Sequence, residues 1–361
     1  MQFTLEPQHF DQLLWVAKTA PIRPPSPILS GVRISSLNGE LTAETYDYTT
    51  HVKASVEATV IDGETILVPG KLLAEIVAAL PKKTAQFSVK NGKLEVQCGA
   101  SKFRLNTMES SEYPTPPTVG DYLGNVHADV LFPVLSRALT ATSRDDALPL
   151  LTAIQLTASN GALEAISTDR YRLTASTLPW DGKDFELLVP GKAVHEATRA
   201  LTGEITLHAN DRIITFSTPL RTITVTITAG DYPPAKRLIP ESCPTTAVVN
   251  GKELQDAVKR ISIVAERGTA ITLNFTETTV EVTAGNTTDA HATETLPLTQ
   301  PLQGDPIKTS FNPAFLLDGL DTQPSQDTRL GFTHPNKPVT FTPNTPHCQY
   351  TYLLVPVRTL T

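Results

Sequence analysis

The sequence predicts an α+β fold built from three tandem copies of one unit, each reading helix, strands, helix, strands. The first observation behind this is that the chain repeats itself. Val68-Pro69-Gly70-Lys71 returns as Val189-Pro190-Gly191-Lys192, 121 residues on. Pro27-Ile28-Leu29-Ser30-Gly31-Val32 is matched by Pro149-Leu150-Leu151-Thr152-Ala153-Ile154 at an offset of 122. Asn38-Gly39-Glu40-Leu41 and Asn160-Gly161-Ala162-Leu163 share that offset, and Glu112-Tyr113-Pro114 meets Asp231-Tyr232-Pro233 at 119. The second observation is the period itself. About 120 residues is the size of a domain, not of a solenoid turn, and 361 residues hold three. Third, segments of helical spacing alternate with period-two runs of β-branched residues.

The first helix is expected over 7–19, with Phe10, Leu13, Leu14 and Val16 on its apolar side. Its counterparts are 128–141 and 251–265. The second helix is expected over 70–80, then 191–201, then 313–320. The third copy carries Phe311-Asn312-Pro313-Ala314 in place of Val-Pro-Gly-Lys, but keeps Asp318 at an offset of 122 from Glu196. Residues 222–227 and 279–283 alternate Thr, Val and Ile as half-buried strands do. Asn91-Gly92 between two such runs is a type I′ hairpin signal, and Asn38-Gly39 and Asn160-Gly161 sit at matching places. Pro-rich segments at 113–118 and 231–244 divide the chain into domains 1–120, 121–244 and 245–361.

Composition fits a globular protein: 40% hydrophobic and 19% charged, with no apolar run of about 18 residues to cross a membrane. The opening residues 1–6 lack a basic region followed by an apolar stretch. Cys98, Cys243 and Cys348 are odd in number and far apart, which suits a reducing compartment. The expectation is a cytoplasmic chain. Net charge is −7, which argues against a general nucleic-acid binder. Its distribution is uneven, however. Counted with their flanks, as 7–20, 69–83, 128–144, 190–201, 250–267 and 312–322, the six helical segments together carry +3 and the remainder −10.

No catalytic constellation is readable. Gly70-Lys71, Gly191-Lys192 and Gly251-Lys252 lack the Ser or Thr and the upstream glycine of a phosphate loop, and read as helix starts. His347-Cys348 has no second pair at ligand spacing, and Asp145-Asp146 has no third acid, so no metal is expected. Asp169, followed by Arg170 and Arg172, reads as a turn-closing residue after a strand.

Three segments carry a resemblance. Thr168-Asp169-Arg170-Tyr171-Arg172-Leu173 resembles the Thr-Asp-Gly-His-Arg-Leu segment of the bacterial DNA polymerase III β subunit, the sliding clamp family. Asp231-Tyr232-Pro233-Pro234-Ala235-Lys236-Arg237-Leu238-Ile239-Pro240 resembles that family's linker. Tyr352-Leu353-Leu354-Val355-Pro356-Val357-Arg358 resembles its Met-Pro-Met-Arg tail, with Val where Met is common. Trp15-Val16-Ala17-Lys18 and Arg144-Asp145-Asp146-Ala147-Leu148-Pro149 further resemble its actinobacterial branch.

The resemblance implies a head-to-tail homodimer forming a six-domain ring, helices lining the hole and sheets outside. Double-stranded DNA passes through the hole without sequence preference. The DNA polymerase III catalytic subunit, the clamp loader and other replication and repair proteins dock through short peptides. It implies no enzymatic activity and no cofactor. The implied peptide pocket comprises Leu151, Thr168, Arg170, Tyr171, Arg172, Leu173, Pro233, Arg237, Leu238, Leu353, Val355, Pro356 and Val357. In it Arg172 and Arg237 are cationic rims, and Leu353, Val355 and Val357 alternate toward the pocket while Leu354 points inward. Arg23, Lys71, Arg137 and Lys192 are implied DNA contacts, and Phe103 and Leu105 face Ile263 and Val264 across the ring interface. The alternatives are a duplicate clamp that confers resistance to clamp-binding antibiotics or serves a phage, and a β-rich adhesion or carbohydrate-binding protein. Only 6% aromatic residues count against the last.

Overall fold

A computed structural model describes residues 1–37, 39–264, 269–285, 290–345 and 348–357. Asn38, Ala265, His347 and the tail from Arg358 onward, singled out above, lie outside the described residues. The chain forms two compact units. One comprises 1–129 and 196–227, the other 130–195 and 228–361. All sheets are antiparallel, and the α+β class stands.

In the first unit, a five-stranded sheet runs in the order Thr59–Asp62, Gln2–Leu5, Ala85–Lys90, Lys93–Cys98, Ser101–Asn106. An eight-stranded sheet takes strands from two copies of the repeat. They join where Thr50–Val56 pairs with Arg221–Thr226. In the second unit, a nine-stranded sheet does the same where Arg172–Pro179 pairs with Tyr350–Leu354. Its other sheet has four strands, His291–Pro297, Thr279–Gly285, Ile271–Phe275 and Ile307–Phe311.

The helices form where the spacing puts them. Phe10–Thr19 buries Phe10, Leu13, Val16 and Ala17 and packs on Gly70–Ala79, which buries Leu73, Ile76 and Val77. Leu254, Ala257, Val258 and Ile261 turn Gly251–Ile261 toward the core shared with Pro313–Asp321. The helix expected over 191–201 stops sooner, at Thr198. Both helices of the third copy start on side-chain caps, and at the second of them the cap stands where the other copies have Pro-Gly. Asn250 Oδ1 accepts from the Lys252 and Glu253 amides, and Asn312 Oδ1 from Ala314 and Phe315. Asn91-Gly92 and Asn160-Gly161 all take positive φ, 54° and 70° then 52° and 78°, as type I′ turns demand.

Candidate functional site

The segment between strands Ala162–Thr168 and Arg172–Pro179 is a tight loop held by its own side chains. Asp169 Oδ1 accepts from the Tyr171 and Arg172 amides, each at 3.0 Å. Thr168 Oγ1 accepts from the Arg170 amide at 3.1 Å and donates to the Arg172 carbonyl at 2.7 Å. Arg170 sits at φ 80°, the left-handed conformation this closure requires. Asp169 thus closes a turn, as its sequence context predicts.

Arg172 corrects an expectation. It is only 3% exposed and forms no rim. Its Nε donates to Asp169 Oδ2 at 2.9 Å and its Nη1 to Asp318 Oδ2 at 2.6 Å. The guanidinium lies 4.4 Å from the Phe315 ring centroid, a cation–π contact. Burial alone would weaken this charge; the Tyr352 hydroxyl and the Asp318 and Asp169 carboxylates outweigh it and hold the group protonated. The same Asp318 carboxylate stands 4.0 Å from exposed Arg144. Above this strut Tyr171 is 58% exposed and stacks on Phe315 at 6.0 Å.

Beneath the loop lies an apolar floor of Ile166, Leu173, Ala235 and Leu353, edged by Ala175, Tyr232 and Ile239. Register explains it, because Leu173 faces Leu353 across the joined strands. Leu354 turns the other way into the main core, as alternation predicts. Tyr232 ties the linker down. Its hydroxyl accepts from the Thr168 amide at 2.9 Å and donates to the Ala153 carbonyl at 3.5 Å. Burial pushes that hydroxyl up to about 12. The turn Ala235–Leu238 places Ala235 in the floor and leaves Arg237 and Leu238 exposed, Leu238 by 55%. The tail passes the loop where the Val355 amide donates to the Tyr171 carbonyl at 2.9 Å. Val355 is half-buried, Pro356 buried and Val357 exposed. Leu151 is buried in the short helix Pro149–Thr152 that leads to Ala153, and Pro233 is exposed beside Tyr232.

The structure therefore brings Thr168, Arg170, Tyr171, Arg172, Leu173, Leu353 and Val355 together. Sequence reasoning passed over Ile166, Tyr232, Phe315 and the partnership of Asp169 and Asp318 with Arg172. Tyr232 carried a signal, since it repeats Tyr113. Among the described residues no group of His, Cys, Asp and Glu could hold a metal.

Three family models cover the chain: the N-terminal domain of the DNA polymerase III β subunit over 1–117, the central domain over 125–234 and the C-terminal domain over 236–358. The chain is 33% identical to the β sliding clamp of Streptomyces coelicolor, over 96% of each chain. It belongs to the β sliding clamp family. The Micrococcus luteus sliding clamp is 34% identical over 83% of this chain and 99% of its own length. A sliding clamp homolog from Streptomyces muensis, GriR, is 32% identical over 89% of this chain and 88% of its own. The crystal structure of the polymerase β subunit from Streptococcus pyogenes, 21% identical, shares the fold with a TM-score of 0.94 over 99% of this chain and all of that one.

The remaining residues singled out in the sequence fall as follows. Arg23 is exposed, and Lys71 and Lys192 are exposed at the second positions of their helices. Lys71 stands 4.0 Å from Glu75, an exposed pair of little strength. Arg137 is half-buried, 5.3 Å from the Tyr350 ring centroid. Phe103 is half-buried on Ser101–Asn106, the outermost strand of its sheet, while Leu105 is 3% exposed and belongs to the core of its own unit. Ile263 is 83% exposed on the turn Ser262–Val264, with Val264 half-buried.

Proposed function

We propose that this chain is a non-catalytic sliding clamp that acts as a homodimeric ring around duplex DNA in the cytoplasm. Each chain contributes three domains, 1–120, 121–244 and 245–361. Short peptides of the DNA polymerase III catalytic subunit, the clamp loader and other replication and repair proteins dock at the loop 168–172. The observation that supports this best is the floor of Ile166, Leu173, Ala235 and Leu353 under a loop that exposes Tyr171, with exposed Leu238 and Val357 on the flanking turn and tail. Apolar walls with a few polar groups suit a linear peptide with apolar anchors, and Arg170 and Arg237 supply positive charge for its polar flank. Arg23, Lys71 and Lys192 fit weak, sequence-independent phosphate contact, with Arg137 also engaged on Tyr350.

Two measurements test the reading. Deletion of residues 355–361 abolishes binding of a polymerase-derived peptide in calorimetry without unfolding the ring. The full chain, once loaded, stays on closed circular DNA and leaves the same DNA when it is linearised. Undiminished peptide affinity would remove the pocket, and equal retention on both DNA forms would remove the ring. Complementation of a strain depleted of its own clamp separates the replicative role from that of a duplicate.

A further inference from the structure

The docking loop has a twin in the first unit. There Asp47 Oδ1 accepts from the Thr49 and Thr50 amides at 2.9 and 2.7 Å, and Tyr48 takes the positive-φ place at 73°. The Thr49 carbonyl accepts from the Thr226 amide at 2.8 Å, as the Tyr171 carbonyl does from Val355. Tyr113 stands where Tyr232 stands: its hydroxyl accepts from the Tyr46 amide at 2.6 Å and donates to the Gly31 carbonyl at 3.4 Å. The same backbone device is built twice.

The floors differ. Arg33 faces Glu44 as Gln155 faces Ile166. Tyr46 faces His51 as Thr168 faces Leu173. His51 faces Thr224 as Leu173 faces Leu353. So where the second unit has Ile166, Leu173 and Leu353, the first has Glu44, His51 and Thr224, all buried. Glu44 is fully partnered, accepting from Arg33 Nε and His51 Nε2, each at 2.8 Å. Arg33 in turn lies 5.5 Å from the Tyr113 ring centroid.

We propose that the Arg33–Glu44–His51 cluster is a specificity element that bars apolar-anchored peptides from the twin loop, so that each chain offers one docking place instead of two. This rests on the peptide-docking reading of the second unit. To seat an apolar anchor against Glu44 and His51, a peptide would have to open the buried hydrogen bonds among Arg33, Glu44 and His51 and leave the carboxylate without its partners. The same anchor entering against Leu173 and Leu353 meets only apolar side chains and breaks no side-chain hydrogen bond there.

The probe is a synthetic peptide carrying a glutamine and two leucine anchors, titrated into the full chain by calorimetry. Wild type binds one peptide per chain, and the chain lacking residues 355–361 binds none. No binding to wild type at all would defeat the docking reading itself. A second peptide on wild type, or one retained at the twin loop of the shortened chain, overturns the proposal and leaves that reading standing. Glu44→Ile with His51→Leu and Thr224→Leu should add a second binding event, within about a hundredfold of the first in affinity. A folded triple variant that still binds one peptide also overturns it. Should that variant not fold, the reverse exchange is made in the second unit: Gln155→Arg, Ile166→Glu and Leu173→His. Loss of the peptide with an unchanged melting profile is the expected result, and wild-type affinity there overturns the proposal.

Discussion

Arg172 shows how a side chain can shape a candidate site from beneath its surface. It is buried between Asp169 and Asp318 and backed by Phe315, so it fixes the loop from below. Arg172→Ala leaves Asp169 without its counter-charge and Asp318 with only exposed Arg144, and should destabilise the protein by about 3 kcal/mol. Arg172→Lys keeps the charge but loses the planar fork, and should fall between the two in urea unfolding. A variant as stable as wild type would remove the strut. The residue's neighbours in sequence hint at its partner Asp169, but Asp318 lies 146 residues away, which no local pattern can reveal. Glu44 carries a second prediction. Burial acts to raise its carboxyl, yet the hydrogen bonds and charges of His51 and Arg33 prevail and hold it at about 2, against an ordinary 4.5. A depressed carboxyl stabilises fully above its unfolded value and loses that contribution as pH falls through its folded one. The stability advantage of wild type over Glu44→Gln should therefore shrink from about pH 5 to about pH 2. An advantage constant across that window would contradict the assignment.

At the scale of elements, the repeated Pro-Gly-Lys signature proves to be a packing device. A Cβ on Gly70 would lie 2.3 Å from the Ala20 Cβ, so the helix start sits hard against its neighbour. On Gly191 the nearest atoms would stand at 3.1 Å, a fit that small shifts can relieve. Alanine favours a helix over glycine by about 1 kcal/mol, and overpacking costs about 1–3 kcal/mol. Gly70→Ala should thus lower the melting temperature, while Gly191→Ala should be near neutral. Equal effects at the two sites would refute the packing account. Helices and hairpins were legible because their causes are local: apolar spacing, caps, and Asn-Gly pairs that accept positive φ. The joining of Thr50–Val56 to Arg221–Thr226 was not, because strand partners so distant leave no mark on either segment. The candidate site was half legible for the same reason: Leu173 and Leu353 lie within matched motifs, whereas Ile166 and Phe315 lie outside them.

For the whole molecule, the proposed ring needs complementary ends. Ser101–Asn106 is an outermost strand with Phe103 half-buried upon it, and Ile263 projects from the turn Ser262–Val264. Leu105 already serves the core of its own unit, so Phe103 is left as the apolar group available on that strand. Ile263→Ala combined with Val264→Lys would place a charge in a head-to-tail contact and should yield a folded monomer in sedimentation. A dimer persisting at nanomolar concentration would exclude this surface. The shared sheet has a consequence of another kind. Tyr350–Leu354 lies between Arg172–Pro179, from the second copy, and Val339–Pro343, from its own. A protease nick within 231–244 would therefore not release independent beads. Each fragment would keep a bare hydrogen-bonding edge whose best complement is the other fragment, so the two halves of a severed chain should reassemble unaided.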